Sequence, residues 1–205
     1  MQKLLLATHN KGKIHELGVF LSDLPIDIIS LSDVGITDEV EEDGETYEEN
    51  SQKKALIYAK MAGLPALADD GGLEIDALGG APGVKSRRWL GHDGTDEEII
   101  EHMKKVAAEL PDDNRVASFK TVVSFALPTG EVWSSYAEIK GVITKEPYVK
   151  LFHGYPYRSF FYLPELKKFY HESELPPEEM KKINHRHKAV ESIKPTIRKT
   201  LSILS

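Results

Sequence analysis

Cysteine is absent from the 205 residues, which removes disulfides, thiolate metal sites and cysteine nucleophiles from consideration. No apolar run approaches the ~20 residues a helix needs to cross a bilayer. The amino-terminal stretch Leu4 to Ala7 is too short for the core of a secretion signal, and no cleavage pattern follows it. Among the eight histidines there is no HExxH and no other metal-ligand spacing, which argues against a zinc enzyme. A GxSxG elbow and a Walker GxxxxGK[ST] loop are missing too. Gly80-Ala81-Pro82-Gly83-Val84-Lys85-Ser86 comes near the latter, but Val84 stands where glycine must precede the lysine. These absences leave a soluble chain, expected to be cytoplasmic and without a membrane partner.

Apolar residues make up 40% and charged residues 29%, an ordinary globular balance. The length suffices for one large domain or two small lobes around a buried core. Repeats, low-complexity tracts and long linkers are lacking, so residues 1–205 are read as a single domain. The net charge of −7 is concentrated: between Asp38 and Glu49 stand eight acidic residues and no basic one. Such a stretch is either a solvated loop or a site for a divalent cation, which takes oxygen ligands. Composition leaves both open.

Lys3 to Ala7 reads as a short buried strand, followed by the polar turn THNKGK and a helix through Leu17, Phe20 and Leu21. A strand is expected at Ile26 to Leu31 and a helix from about Thr46 to Ala62, with Ala55, Ala59 and Ala62 on one face. A strand should then run into Ala68-Asp69-Asp70 and give way to a glycine-rich turn. Thr95 and Glu98 form a capping box for a helix from Asp96 to Leu110. Val116 to Leu127 and Glu131 to Ile143 are strand-like, and Pro128-Thr129-Gly130 between them reads as a hairpin turn. A strand near Phe160 to Leu163 precedes two helical stretches, the second expected to kink at Pro195. This alternation predicts an α/β fold with a mixed sheet.

Three places invite chemistry. Thr8-His9-Asn10-Lys11-Gly12-Lys13 joins a strand to a helix and offers backbone amides, short polar side chains and two lysines, which suits a polyphosphate. Asp69 and Asp70 bring two carboxylates together, which raises their pKa values unless a cation offsets the repulsion. The alternative there is one aspartate capping a turn and the other solvated. Five of the fifteen glycines lie between Gly71 and Gly83, for close approach to a ligand or for tight packing. The basic run Lys181 to Lys188 suits either nucleic acid or a solvated helix face. Within it Asn184 is a good N-cap, which places His185 and Arg186 in a first turn where cations oppose the helix dipole.

The stretches LLLATHNKGKIHEL, EEDGETYEENSQKKA, LPALADDGGLEIDALGGAPGVKSRRWLG, GVITKEP and NHRHKA, in this order, resemble the inosine/xanthosine triphosphate pyrophosphatases. The resemblance spans residue 3 to about 189. It implies an elongated α/β fold with two lobes flanking a nucleotide cleft, assembled as a homodimer. It also implies Mg²⁺-dependent (or Mn²⁺-dependent) hydrolysis of a non-standard purine nucleoside triphosphate to monophosphate and pyrophosphate. Carried over by position, Thr8, His9, Asn10, Lys11, Gly12, Lys13 and Lys54 would hold phosphates. Glu41 and Asp70 would bind the metal, with Glu42 the less expected neighbour, and Asp70 would activate the attacking water. Tyr155, Tyr157, Arg158, His185 and Arg186 would meet the base, and Gly71 would lie beside the substrate.

Departures gather at the base end. Gly154-Tyr155-Pro156-Tyr157-Arg158-Ser159 stands where the family reads GFGYDP, so Arg158 replaces an aspartate and exchanges an acceptor for donors. Met180 replaces a lysine, Gly71 a serine or threonine, and Asn184 the serine of SHR. Tyr148 to His153 replaces a glycine run. The expectation is pyrophosphohydrolase chemistry on triphosphates of the ITP, dITP and XTP type; the alternatives are the same chemistry with a re-aimed base specificity, or a nucleotide-binding regulator with weak turnover. The acidic balance argues against a nucleic-acid-binding module.

Overall fold

The computed structural model describes residues 2–150 and 154–203. Seven strands form one sheet: β1 (Gln2–Leu6), β2 (Ile26–Ser30), β3 (Ala66–Ile75), β4 (Val116–Ala126), β5 (Val132–Ile143), β6 (Phe161–Leu163) and β7 (Lys168–Phe169). Their order is β2-β1-β3-β4-β5-β6-β7. β1 pairs in parallel with β2 and β3, whereas β6 pairs antiparallel with β5 and β7. The helices are α1 (Lys11–Phe20), α2 (Tyr47–Ala62), α3 (Asp96–Glu109), α4 (Pro177–Ile183) and α5 (His185–Thr200). This is the mixed-sheet α/β architecture that the alternation of elements predicts. None of the described helices is long and apolar enough to cross a membrane.

The chain divides into two compact units. One comprises the residues up to Asp70, Thr121–Ala137 and the chain from Arg186 onward; the other comprises Gly71–Lys120 and Glu138–His185. In the first unit Leu4 to Leu6 of β1 are buried on both faces, which is why they read as an unbroken apolar run. Leu4 and Leu6 pack with Leu17 and Phe20 of α1 and with Val190, Ile193 and Ile197 of α5. Leu5 and Ala7 pack with Ala55, Tyr58 and Ala59 of α2. Helix α2 starts at a capping box: Thr46 accepts from the Glu49 amide while the Glu49 carboxylate accepts from the Thr46 amide.

In the second unit Ile99, Ile100, Met103 and Ala107 of α3 pack with Leu73, Phe119, Ile143, Phe161 and Tyr170. The expected Thr95–Glu98 box is present at the start of α3. Its last turn is closed by Arg115, whose guanidinium donates to the carbonyls of Ala107 (2.8 Å), Leu110 (2.9 Å) and Ile143 (2.7 Å).

One expectation is corrected in detail. β3 does not stop at Asp70 but continues through Gly71 and Gly72 to Ile75, because Leu73 and Ile75 are fully buried and hold the strand. The aspartate pair therefore lies mid-strand rather than at a turn. Helix α5 runs on to Thr200 with Pro195 inside it.

Candidate active site

Helix α1 begins at the polar turn after β1. Asn10 is its N-cap, the Asn10 side chain accepting from the Lys13 amide at 3.1 Å, and the Thr8 hydroxyl accepts from the Asn10 amide at 3.2 Å. Lys11, Gly12 and Lys13 form the first turn, where unpaired backbone amides favour an anion. His9 is exposed and packs edge-on against Tyr58.

Lys13 reaches back to β3, with its Nζ 3.2 Å from Oδ2 of Asp69. Arg186, at the start of α5, donates through Nε to the same oxygen at 2.9 Å and pairs with Glu16 of α1. Asp69 is fully buried, and its other oxygen, Oδ1, has no hydrogen-bond partner. Burial alone would raise this carboxyl, but Lys13, Arg186 and Lys54 together outweigh it and hold it far below the usual carboxylate range.

Asp70 has different neighbours. Asn50 of α2 donates to its Oδ2 at 3.1 Å, and Lys54 of α2 has its Nζ 4.0 Å from Oδ1. Lys54 also bonds Glu42 and donates to the Asp69 carbonyl at 2.7 Å. Burial lifts the Asp70 carboxyl above its ordinary value and Glu42 adds to the rise, against Lys54, Lys13 and Asn50. For Glu42 the balance is opposite: burial works against ionisation, and Lys54 overcomes it. Two carboxylates thus share one ammonium. Neither aspartate is solvated, so the reading of a capped turn with one free carboxylate does not hold.

Glu41, the expected ligand, is exposed; Glu42 is the residue brought to Lys54 and Asp70. Asn50 escaped sequence reading, although its place one helical turn before Lys54 puts both on one face of α2. Its Oδ1 accepts from the Gly44 amide at 2.8 Å, and a Cβ at Gly44 would lie 2.7 Å from that oxygen. A glycine is required for so close an approach. Gly71 follows Asp70 on β3 and is half-buried.

In the second unit the expected base-end residues form an aromatic assembly. Arg158 is only 2% exposed, with its Cζ 4.0 Å from the Tyr155 ring centre and 4.8 Å from that of Tyr170. The Tyr170 hydroxyl lies 3.2 Å from Nδ1 of His185, and the His185 ring stacks on Phe119 at 5.6 Å. Tyr157 donates its hydroxyl to the Ser86 carbonyl at 2.5 Å, and burial pushes its phenol well above the ordinary value. Met180 packs against the apolar core, a place where a lysine's charge would be costly. Leu151 to His153, part of the departure from the family's glycine run, lie outside the described residues. Of the expected base-end residues, His185 belongs to this assembly, whereas Arg186 belongs to the charged cluster with Asp69.

The residues near Asp70 fit a hard divalent cation. The available donors are carboxylate oxygens, Asp69 Oδ1 is buried without a partner, and Asp70 and Glu42 gain from added positive charge. Among the described residues no three acidic or histidine side chains converge into a full cage. Mg²⁺ is a cation that one or two carboxylates can hold while substrate phosphates complete the shell.

Comparison with known proteins agrees with this fold. The Ham1 family model matches residues 4–196, and the chain belongs to the Ham1 family. Among its relatives is the dITP/XTP pyrophosphatase of Syntrophobacter fumaroxidans, 43% identical over 91% of this chain and 78% of that one. The dITP/XTP pyrophosphatase of Shigella flexneri is 41% identical over 97% of this chain and 99% of its own. The solved structure of a HAM1 protein from Coxiella burnetii aligns at a TM-score of 0.83 and 35% identity, covering 97% of this chain and all (100%) of that one.

Proposed function

We propose that this chain hydrolyses non-standard purine nucleoside triphosphates of the ITP, dITP and XTP type to monophosphate and pyrophosphate. The observation that carries the reading is the buried Asp70, flanked by Lys54, Glu42 and Asn50, on the strand beside the lysine-bearing start of α1. The dITP/XTP pyrophosphatase names of the relatives supply the substrate class.

In this proposal the α1 amides and Lys11 and Lys13 bind the phosphates, and Lys54 adds a further cation. Asp70 and Glu42, rather than Glu41, would hold the cation, which when bound supplies electrostatic stabilisation of charge on the phosphates. Asp70 accepts a proton from the water that attacks the α-phosphorus; the bond to the bridging oxygen breaks and pyrophosphate leaves. Asn50 fixes the Asp70 carboxylate by bonding Oδ2, leaving Oδ1 toward Lys54. Asp69 acts through charge: it holds Lys13 and Arg186 in place. Homodimer assembly in the cytoplasm belongs to the same proposal, on the resemblance alone.

The test is pyrophosphate release, scored apart from orthophosphate, from ITP, dITP, XTP, the standard triphosphates and modified pyrimidines with Mg²⁺. D70N should lower turnover about a hundredfold or more while nucleotide binding persists. Undiminished turnover in D70N would remove Asp70 from its role. Tight binding by the unmodified protein without product would favour the regulator.

A further inference from the structure

Residues 38–44, which include Glu42, belong to no helix or strand. Side chains of α2 grip them instead. Asn50 accepts from the Gly44 amide at 2.8 Å, Lys54 bonds the Glu42 carboxylate, and Tyr58 meets Asp38 and Val40. The three helix positions follow one another at intervals of four residues and so share one face of α2. Four residues of helix rise about 6 Å, close to the roughly 6.6 Å that two residues of extended chain span. Successive turns of α2 therefore meet the segment at Gly44, Glu42 and Val40 in turn.

Tyr58 is buried, and its hydroxyl works in both directions. It donates to the Asp38 carbonyl at 3.0 Å and accepts from the Val40 amide at 3.2 Å. His9, in the turn before α1, has its Nε2 3.3 Å from the same carbonyl, and its ring meets Tyr58 edge-on at 6.1 Å. Burial lifts the Tyr58 phenol above its ordinary value, which keeps the donated hydrogen in place. An acidic run repels itself, which favours a splayed, solvated chain. Fixing Asp38 and Val40 opposes that spreading just before Glu42 and keeps its carboxylate turned to Lys54. Resting on the reading above in which Glu42 helps hold the cation, we propose that Tyr58 is a positioning residue for that site. Its hydroxyl sets the acidic segment and with it the Glu42 carboxylate, and His9 ties the phosphate-binding turn to the same carbonyl. A phenylalanine at this position would fill the same place in the core and hold neither backbone group.

The experiment compares the unmodified protein with Y58F, E42Q and the double variant. Mn²⁺ affinity is read by electron paramagnetic resonance with α,β-methylene-ITP present, and half-saturating Mg²⁺ by pyrophosphate release from ITP. Y58F keeps the ring, loses two hydrogen bonds, and should raise both midpoints about tenfold. KM for ITP at saturating Mg²⁺ should stay at the parent's value, a split that a general loss of stability would not produce. In E42Q the carboxylate is already gone, so adding Y58F should weaken Mn²⁺ binding little further. Parent-like Mn²⁺ affinity in Y58F, with E42Q weakened, overturns the inference and leaves the functional reading intact. Parent-like affinity in E42Q removes Glu42 from the cation site, and the inference falls with it. Should Y58F fail to fold, hydrogen exchange at the Val40 amide of the unmodified protein decides. Slow exchange upholds the clasp, and exchange at the rate of an exposed amide overturns it.

Discussion

The charged cluster around Asp69 and Asp70 and the aromatic assembly around Arg158 bury charge in opposite ways. Around Asp69 every buried charge faces an opposite one: Lys13 and Arg186 on Asp69, Lys54 on Glu42 and Asp70. Around Arg158 stand aromatic rings, those of Tyr155 and Tyr170, and the nearby Tyr157 and Tyr170 hydroxyls meet a carbonyl and His185. A charge lattice fixes geometry by mutual attraction, so removing one member strands the others. An aromatic assembly fixes geometry by packing, so losing one polar atom costs less.

The sharpest way to break the contrast is Arg186→Met. It removes the guanidinium from a fully buried carboxylate and should destabilise the protein by about 3–5 kcal/mol in urea unfolding. A loss no larger than that of an exposed ion pair, about 1 kcal/mol, would show that Lys13 alone neutralises Asp69.

The next effect is acid sensitivity. Asp69 is held below the ordinary carboxylate range in the folded protein, so below pH ~4 the unfolded chain binds the extra proton first. Its contribution is complete above that pH and is lost as the pH falls toward the folded value. Unfolding stability measured between roughly pH 5 and pH 2 should therefore depend less steeply on pH for Asp69→Asn, even though that variant is less stable throughout. An unchanged slope would assign the acid limb to other carboxylates.

Smallest is the alkaline counterpart. Burial raises the Tyr157 phenol, with the Arg87 charge opposing, so its stabilising contribution is full below pH ~10 and is lost as the pH rises beyond it. Tyr157→Phe keeps the ring, should cost about 1 kcal/mol at neutral pH, and should remove one late-ionising tyrosine from the ultraviolet titration. A variant whose titration matches the parent would place Tyr157 among the ordinary phenols.

Legibility followed locality. The LLLA strand, the Thr95–Glu98 box and the Pro128-Thr129-Gly130 turn carry their signals within a few residues. The hairpin closes as expected, with Leu127 donating to the Glu131 carbonyl at 2.9 Å. The Thr46–Glu49 box is equally local, yet it was masked by the acidic run that contains Glu49. That run also has no periodicity to tell which carboxylate turns inward, so Glu42 could not be separated from Glu41. Glycines at 71 and 72 suggested a turn because the burial of Leu73 and Ile75 is a tertiary property. Arg186 lies 117 residues from Asp69. Spacing along the chain holds no trace of that pairing.

That separation bears on the protein's birth. Synthesis runs from the amino terminus, so β1, α1 and both aspartates leave the ribosome long before α5 is made. Until residue 186 emerges, Asp69 lacks the guanidinium that completes its neutralisation, and Glu16 lacks the same partner. A nascent or prematurely terminated chain carries Lys13, Glu16 and Asp69 without the arginine that pairs with both carboxylates. Assembly of the charged cluster is therefore deferred until α5 has been made.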